Sequence, residues 1–190
     1  MSVNLTTRTA LAQSFVTGVG LITSTGPHGD NVMSAEWTHQ ISYEPGMIAI
    51  CLNPGRATSE NILAMKEFGV NIVATDQNVF ASIAGNNRGK EVDKVSALKE
   101  LGYQFLPGTV IKAPMVAGAR MRVECTLVEH HVYGDHVMYI GEAQHVEVDE
   151  TKEPIAYSKG KYWKFGDQII KPAEEELARI KVVVEKHRKA

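Results

Sequence analysis

The chain is poor in cysteine, has no excess of either charge and contains no long hydrophobic run, and each shortage removes a class of protein. Its two cysteines, Cys51 and Cys125, stand far apart in apolar segments. With no CxxC pair and no Cys/His spacing of zinc-site type, they read as small buried hydrophobes in a reducing compartment. Lysine and arginine number 20 against 22 acidic residues, a net charge of −2, which argues against a dedicated nucleic-acid binder. No apolar run approaches the ~18 residues that span a bilayer. Met1–Ala12 lacks a basic segment followed by an apolar one, so no secretory leader is read there. The expectation is a cytoplasmic protein with neither a membrane nor a nucleic-acid partner.

Motif absences narrow the chemistry. No GxGxxG follows a strand, and no Walker-type loop appears, so a nucleotide-like cofactor would not use a Rossmann or P-loop turn. There is no GxSxG and no Cys-His signature, which sets hydrolases aside. His130, His131 and His136 cluster in sequence, but no third ligand is spaced for a metal triad, so no metal is expected. Internal repeats, low-complexity tracts and linkers are also missing. With 44% hydrophobic and 22% charged residues, the 190-residue chain reads as one globular domain.

What is present is mostly strand. Ser14–Thr23 is β-branched and punctuated by glycine, and residues 26–31 form a turn. Met47–Asn53 and Gly69–Thr75 are short apolar runs suited to covered strands. The clearest strand is Ala119–Val128, where Ala119, Met121, Val123, Cys125 and Leu127 alternate with Arg120, Arg122, Glu124 and Thr126. Gly134-Asp135 then turns the chain into His136–Val148, the geometry of a hairpin.

Helices are few. Thr58 or Ser59 can cap one running through Phe68, with Gly69 past its end. Val95, Leu98 and Leu101 form a helical stripe that stops at Gly102. A C-terminal helix is expected over about 172–188, with Pro172 at its first position, acidic Glu174–Glu176 at its start and a basic end. Leu177, Ile180 and Val184 give it one apolar face. Many strands and few helices indicate a barrel or sandwich.

Three segments are candidates for chemistry. In Asn53-Pro54-Gly55-Arg56-Ala57-Thr58-Ser59, free N–H groups at a helix start, two hydroxyls and a guanidinium suit a phosphate monoester. Alternatively, a hydroxyl merely caps the helix and Arg56 is solvated. Asn31–Thr38 brings small and polar residues beside Trp37, a surface suited to a flat heteroaromatic ring or to plain sheet packing. The basic, Gly-rich loop 85–90, with Asp93-Lys94 behind it, either completes an anion site or is solvated. Asp135 either orients the His136 ring or makes the turn.

Together these segments resemble the flavin reductase-like family of FMN-binding split barrels, over about residues 12–166 and in the family's order. NVMSAEW is similar to its small-residue strand with a Ser-Trp-like ending. ISYEPGMIAICLNPGRATSENI resembles its passage of S-x-x-P, apolar strand, loop, Arg-x-Ser/Thr and helix. FGVNIVATDQ looks like its FxVNxx strand, and AGNNRGKEVDKV like its Gly-rich loop with trailing Asp-Lys. The hairpin with its EC pair and GDH turn, and PIAYSKGKYWKFG, resemble the remaining pieces.

The resemblance implies a mainly β fold, a six-stranded Greek-key split barrel with a few short helices, usually a homodimer. It implies bound FMN, with the phosphate near Arg56, Thr58 and Ser59, helped by Arg88 and Lys90. Position 88 is often serine in the family. Asn31, Met33, Ser34, Ala35, Glu36, Trp37 and Thr38 would line the ring with Cys51, Leu52 and Asn53. His136 would stand where nicotinamide approaches. The implied activity is an NAD(P)H-dependent flavin reductase passing electrons to free flavin, a ferric chelate or a partner such as a monooxygenase. The other readings are a flavoredoxin-like carrier that holds FMN, and a flavin binder without efficient NAD(P)H oxidation.

Overall fold

A computed structural model describes residues 14–189; the reading of Met1–Ala12, and the first two residues of the expected 12–166 core, lie outside the described residues. In chain order the elements are β1 Gly20–Ser24, β2 Asn31–Ala35, β3 Thr38–Ser42, β4 Met47–Leu52, α1 Ala57–Met65, β5 Glu67–Ile72, α2 Asn78–Asn86, α3 Lys94–Glu100, β6 Phe105–Leu106, β7 Met115–Val116, β8 Met121–Tyr133, β9 His136–Val148, β10 Ala156–Ser158, β11 Lys161–Trp163 and α4 Glu174–Lys186. The principal sheet has seven strands where six were expected, in the order β2-β1-β5-β8-β9-β4-β3, antiparallel throughout. Two small ladders, β6–β7 and β10–β11, flank it.

The two edge strands, β2 and β3, are joined by Glu36 and Trp37 alone. Edges so tethered force the sheet to curl on itself, yet no β2–β3 ladder closes it. The segment Asn31–Thr38, similar to a single small-residue strand, is therefore divided between two strands meeting at this seam. One core fills the inside of the curl: Ile22, Ile50, Leu52, Phe68, Val70, Val123, Cys125 and Tyr139 come from the five strands β1, β4, β5, β8 and β9 and are buried. A second core lies outside, where Leu21 and Val32 meet Phe80, Ala81 and Ala84 of α2 and Val95 and Leu98 of α3. β1 is buried at all five positions because it faces both.

Several boundaries differ from the sequence reading. α1 stops at Met65 rather than Phe68, because Lys66 takes a left-handed φ of 59° and its N–H closes on the Ile62 carbonyl. Phe68 and Val70 are then free to fill the inner core. Gly69 is not a helix stop: it sits in β5, and a Cβ there would overlap Thr23 Oγ1 and stand 2.6 Å from Met115 Sδ. The α1 N-cap is Arg56, and Thr58 and Ser59 lie inside the first turn without capping it. Ser14–Thr23 pairs continuously only from Gly20, with an isolated bridge from Thr17 to Tyr157. α3 has its stripe, but Leu101 is exposed.

The alternation in β8 is interrupted by register shifts at Glu124/Cys125 and Leu127/Glu129. Glu124 is buried rather than outward-facing. Its carboxylate accepts N–H bonds from Thr109 (2.8 Å), Val110 (2.7 Å) and Ile111 (2.9 Å), which pin the loop before β7. Burial alone would raise its pKa, but these bonds outweigh it and hold the carboxyl below the usual range. The Gly134-Asp135 hairpin forms as expected, with Gly134 at φ 61°.

α4 begins at Glu174, two residues after Pro172, with Ala173 as its N-cap. Its face of Leu177, Ile180 and Val184 exists but is exposed among the described residues. None of the described helices is long and apolar enough to cross a membrane.

Packing at one glycine gives a direct stability prediction. A Cβ on Gly141 would overlap Phe68 Cζ and lie 2.8 Å from Cys125 Cβ, inside the inner core. Gly141→Ala is expected to destabilise by about 2 kcal/mol through overpacking, read as a lower urea midpoint. An unchanged midpoint would mean that the β5–β8–β9 centre has slack.

Candidate functional site

The loop after β4 is built by Asn53. Its side-chain oxygen accepts from Gly55 N at 3.1 Å, while its carbonyl accepts from Arg56 N at 3.2 Å and Ser59 Oγ at 2.9 Å. Both hydroxyls at the start of α1 thus serve as anchors. Thr58 Oγ1 accepts from Asn31 Nδ2 at 2.7 Å, tying α1 to β2. Gly89 lies so close to Asn31 that a Cβ would overlap Asn31 Oδ1 and push that side chain from its bond to Thr58.

These contacts enclose a cleft of about 430 Å³. Its walls carry Asn31, Met33 and Ser34 from β2, Asn53, Arg56 and Thr58 from the α1 start, and Arg88 and Lys90 from the Gly-rich loop. Its titratable lining is Arg56, Arg88, Lys90 and Lys94 against the single carboxylate of Glu91. Arg88 and Glu91 approach to 3.6 Å. Lys90 is bound at 2.5 Å by Glu60, whose other oxygen meets His28 Nε2 at 2.5 Å. The Glu60 carboxyl is held below its usual range by these bonds to Lys90 and His28.

Lys94 is the functional candidate that the sequence reading left out of the site. It is 2% exposed, and its Nζ donates to the Ala84 carbonyl at 3.1 Å without a carboxylate partner among the described residues. Burial, reinforced by the Arg56 charge, lowers its pKa from 10.5 to about 8. A buried ammonium beside a guanidinium is costly unless an anion joins them. A signal was present: Lys94 precedes Leu98 by one helical turn, which puts it on the buried face of α3.

The other end of β2 carries the aromatic part. Trp37, in the β2–β3 seam, lies with its ring centroid 4.5 Å from that of His136 at the start of β9. His136 Nδ1 is 2.8 Å from Asp135 Oδ1, so Asp135 both makes the turn and orients the ring. Cys51 N donates to Trp37 O at 2.9 Å, and Thr38 Oγ1 to Ala35 O at 3.0 Å, which fix the seam. Glu36 is half-buried there, and burial raises its pKa; burial also raises that of Cys51.

Thus Asn31, Met33, Ser34, Asn53, Arg56, Thr58, Arg88 and Lys90 meet at one cleft, and Trp37 and His136 meet at the seam. Ala35 and Leu52 belong to the inner core, and Ser59 is buried behind the loop, so none of these three lines the cleft. The surplus of cations with a buried, carboxylate-free ammonium fits a phosphate dianion, and the strand leading from it to an aromatic pair fits a ring attached to that phosphate.

Fold and cleft define a mainly β protein with a cationic cleft beside the seam of a curled antiparallel sheet. Residues 12–166 match the flavin reductase like domain, and the chain belongs to that family. An uncharacterised protein of Pyrococcus abyssi is 31% identical over 116 residues, 60% of this chain and 64% of that one, just under two thirds of the relative's length. An NADH-dependent FAD reductase of Streptomyces globisporus is 26% identical over 154 residues, 80% of each chain. Among solved structures, the NADH:FAD oxidoreductase of Streptomyces globisporus superposes with a TM-score of 0.75 at 23% identity, covering 83% of this chain and 90% of that one.

Proposed function

We propose that this chain is an NAD(P)H-dependent flavin reductase whose 190 residues form one FMN-binding split-barrel domain of Greek-key type, the split being the β2–β3 seam. The observation that carries the reading is the cationic cleft around Lys94 and Arg56, joined by β2 to the Trp37–His136 pair. Arg56 and Lys94 bind the phosphate, assisted by Thr58, Arg88 and Lys90. Ser34, Glu36, Trp37, Thr38, Cys51 and Asn53 border the ring, and Ala35, Leu52 and Ser59 hold that border in place from behind. FMN, when bound, supplies a ring that accepts hydride from a nicotinamide and releases electrons onward to free flavin, a ferric chelate or a partner such as a monooxygenase. The protein's part is to orient two rings in contact and exclude water between them. Asp135 fixes the His136 ring beside Trp37, so that His136 meets the incoming nicotinamide.

The reading includes a cytoplasmic homodimer. Two unpaired cysteines suit a reducing compartment. The exposed Val128, Val132, Tyr133, Val146 and Val148 of the long hairpin supply apolar surface for a second copy.

The experiment is anaerobic mixing of protein, FMN and each nicotinamide nucleotide. Rapid bleaching of the flavin band supports the reductase and names the donor. Bleaching only by dithionite supports the carrier instead. His136→Ala is expected to slow reduction by NAD(P)H more than tenfold while changing FMN affinity less than about threefold, on the order of 0.6 kcal/mol. Equal losses in both would remove the proposed role.

A further inference from the structure

The family match ends at residue 166, and α4, Glu174–Lys186, lies beyond it. None of its residues is buried. A helix of 13 residues is marginal in water on its own, and the β-branched run Val182-Val183-Val184 lowers its propensity further. Its apolar side chains need cover: Leu177, Ile180 and Val184 are 45%, 42% and 63% exposed. With Ala173 before them they recur at intervals of four, three and four residues. That spacing makes the narrow seam of a two-helix coiled coil rather than the broad stripe a helix lays on a domain. Charge is segregated along the same helix, with Glu174, Glu175 and Glu176 at its start and Lys181 and Lys186 after them. Glu176 pairs with Arg179 within the helix, but Glu174, Glu175, Lys181 and Lys186 make no ion pair among the described residues.

We propose that α4 is covered by α4 of a second copy of this chain, running antiparallel, so that the two tails clasp the homodimer. The inference rests on the homodimer of the proposed function and adds an interface outside the domain that the family shares. Reversal sets Leu177 of one copy against Ile180 of the other, and Ala173 against Val184, twice about a two-fold axis. It also brings the acidic start of each helix beside Lys181 and Lys186 of the other. A parallel pair would instead face the three glutamates of one copy with the same three of the other, which is repulsive. A seam about 20 Å long is too small to hold free copies together, since stable complexes bury at least ~1,200 Å². On copies already joined through the hairpin it closes within one assembly, where a weak contact suffices. Residues 164–173 lie in no helix or strand and can span up to about 33 Å, which lets α4 reach a second copy.

The test is disulfide formation under mild oxidation in the full chain, read on non-reducing gels, with sedimentation and an FMN titration of each variant. Ala173→Cys/Val184→Cys carries both halves of one proposed contact. Within one helix these positions stand about 16 Å apart, at ~1.5 Å per residue, so no disulfide can close inside a chain. The double variant is expected to form a covalent dimer at least about fivefold faster than Ala173→Cys or Val184→Cys alone. The single variants also control for the native Cys51 and Cys125. Adding Leu177→Ser and Ile180→Ser should abolish the cross-link, with FMN affinity within about twofold of wild type because α4 lies outside the cleft. Single variants that cross-link as fast as the double one indicate parallel pairing or random collision and overturn the proposal. A cross-link that survives both serine substitutions overturns it as well. Sedimentation as a dimer without any cross-link overturns the clasp alone and assigns the seam to another protein. Sedimentation as a monomer overturns the homodimer reading itself, and the clasp with it.

Discussion

Lys94→Met is expected to make the flavin-free protein more stable and the flavin complex much weaker. The wild-type ammonium is buried with only the Ala84 carbonyl as a partner and with Arg56 adding like charge. The fall of its pKa from 10.5 to about 8 corresponds to roughly 3 kcal/mol of penalty on the charged form. Methionine removes that penalty, fills similar volume and gives up one hydrogen bond, so a net gain of about 1–2 kcal/mol in the apo protein is expected. FMN affinity should fall about a hundredfold, because a desolvated charge-assisted contact to phosphate is lost, on the order of 3 kcal/mol. Opposite signs in the two measurements are the signature. A variant that loses both stability and affinity would make Lys94 a packing residue.

The same lysine gives a pH dependence whose sign can be worked out. Its folded pKa lies below its unfolded value, so between about pH 8 and 10.5 the unfolded chain binds more protons and this group's contribution to stability rises with pH. The methionine variant lacks that rise, so the two stability curves should converge and then cross toward the alkaline end, where neutral Lys94 keeps its hydrogen bond without the penalty. Binding runs the other way. FMN affinity of the wild type should decline above about pH 8, where the free protein loses the ammonium, and level off only at the higher pKa that bound phosphate gives the lysine. Thermal melts across that range, with and without FMN, check both statements.

Arg56→Ala is the second large effect. Arg56 is the N-cap of α1 without a side-chain capping bond of its own, so its guanidinium can be removed without dismantling the helix start. FMN binding should weaken by roughly 1.5–3 kcal/mol, the range for a charge-assisted hydrogen bond. Riboflavin binding should not change. Removing Arg56 also removes one cause of the depressed Lys94 pKa, so the alkaline loss of FMN affinity should move to higher pH. Both residues address one anion, so their double substitution should cost less than the sum of the single ones. Unchanged affinity in Arg56→Ala would put the phosphate elsewhere.

The parts of this molecule that sequence made legible are those where chemistry is local. The period-two run in β8, the Gly134-Asp135 turn and the apolar β4 follow from alternation and turn residues. The candidate phosphate loop is legible because Asn53 through Ser59 puts its donors side by side in the chain. The parts that were not legible depend on contacts distant in sequence. Glu124 looked like an outward position until the N–H groups of 109–111 came to meet it. Lys66 ends a helix in a conformation usually given to glycine, because Phe68 is needed inside. β3 escaped notice because its THQIS is polar and mostly exposed, so no alternation announces it. Lys94 stands behind the basic loop in the sequence, and its helical phase with Leu98 is what buries it.

The claim at the centre of this account is that the Lys94–Arg56 cleft binds a flavin through its phosphate. The most direct measurement is a pair of fluorescence titrations of the purified chain at neutral pH, one with FMN and one with riboflavin, which differs only by lacking the phosphate. The account predicts that FMN binds at least a hundredfold more tightly, about 3 kcal/mol, with the gap shrinking as pH rises past the Lys94 titration. Riboflavin binding as tightly as FMN, or neither binding, would contradict it.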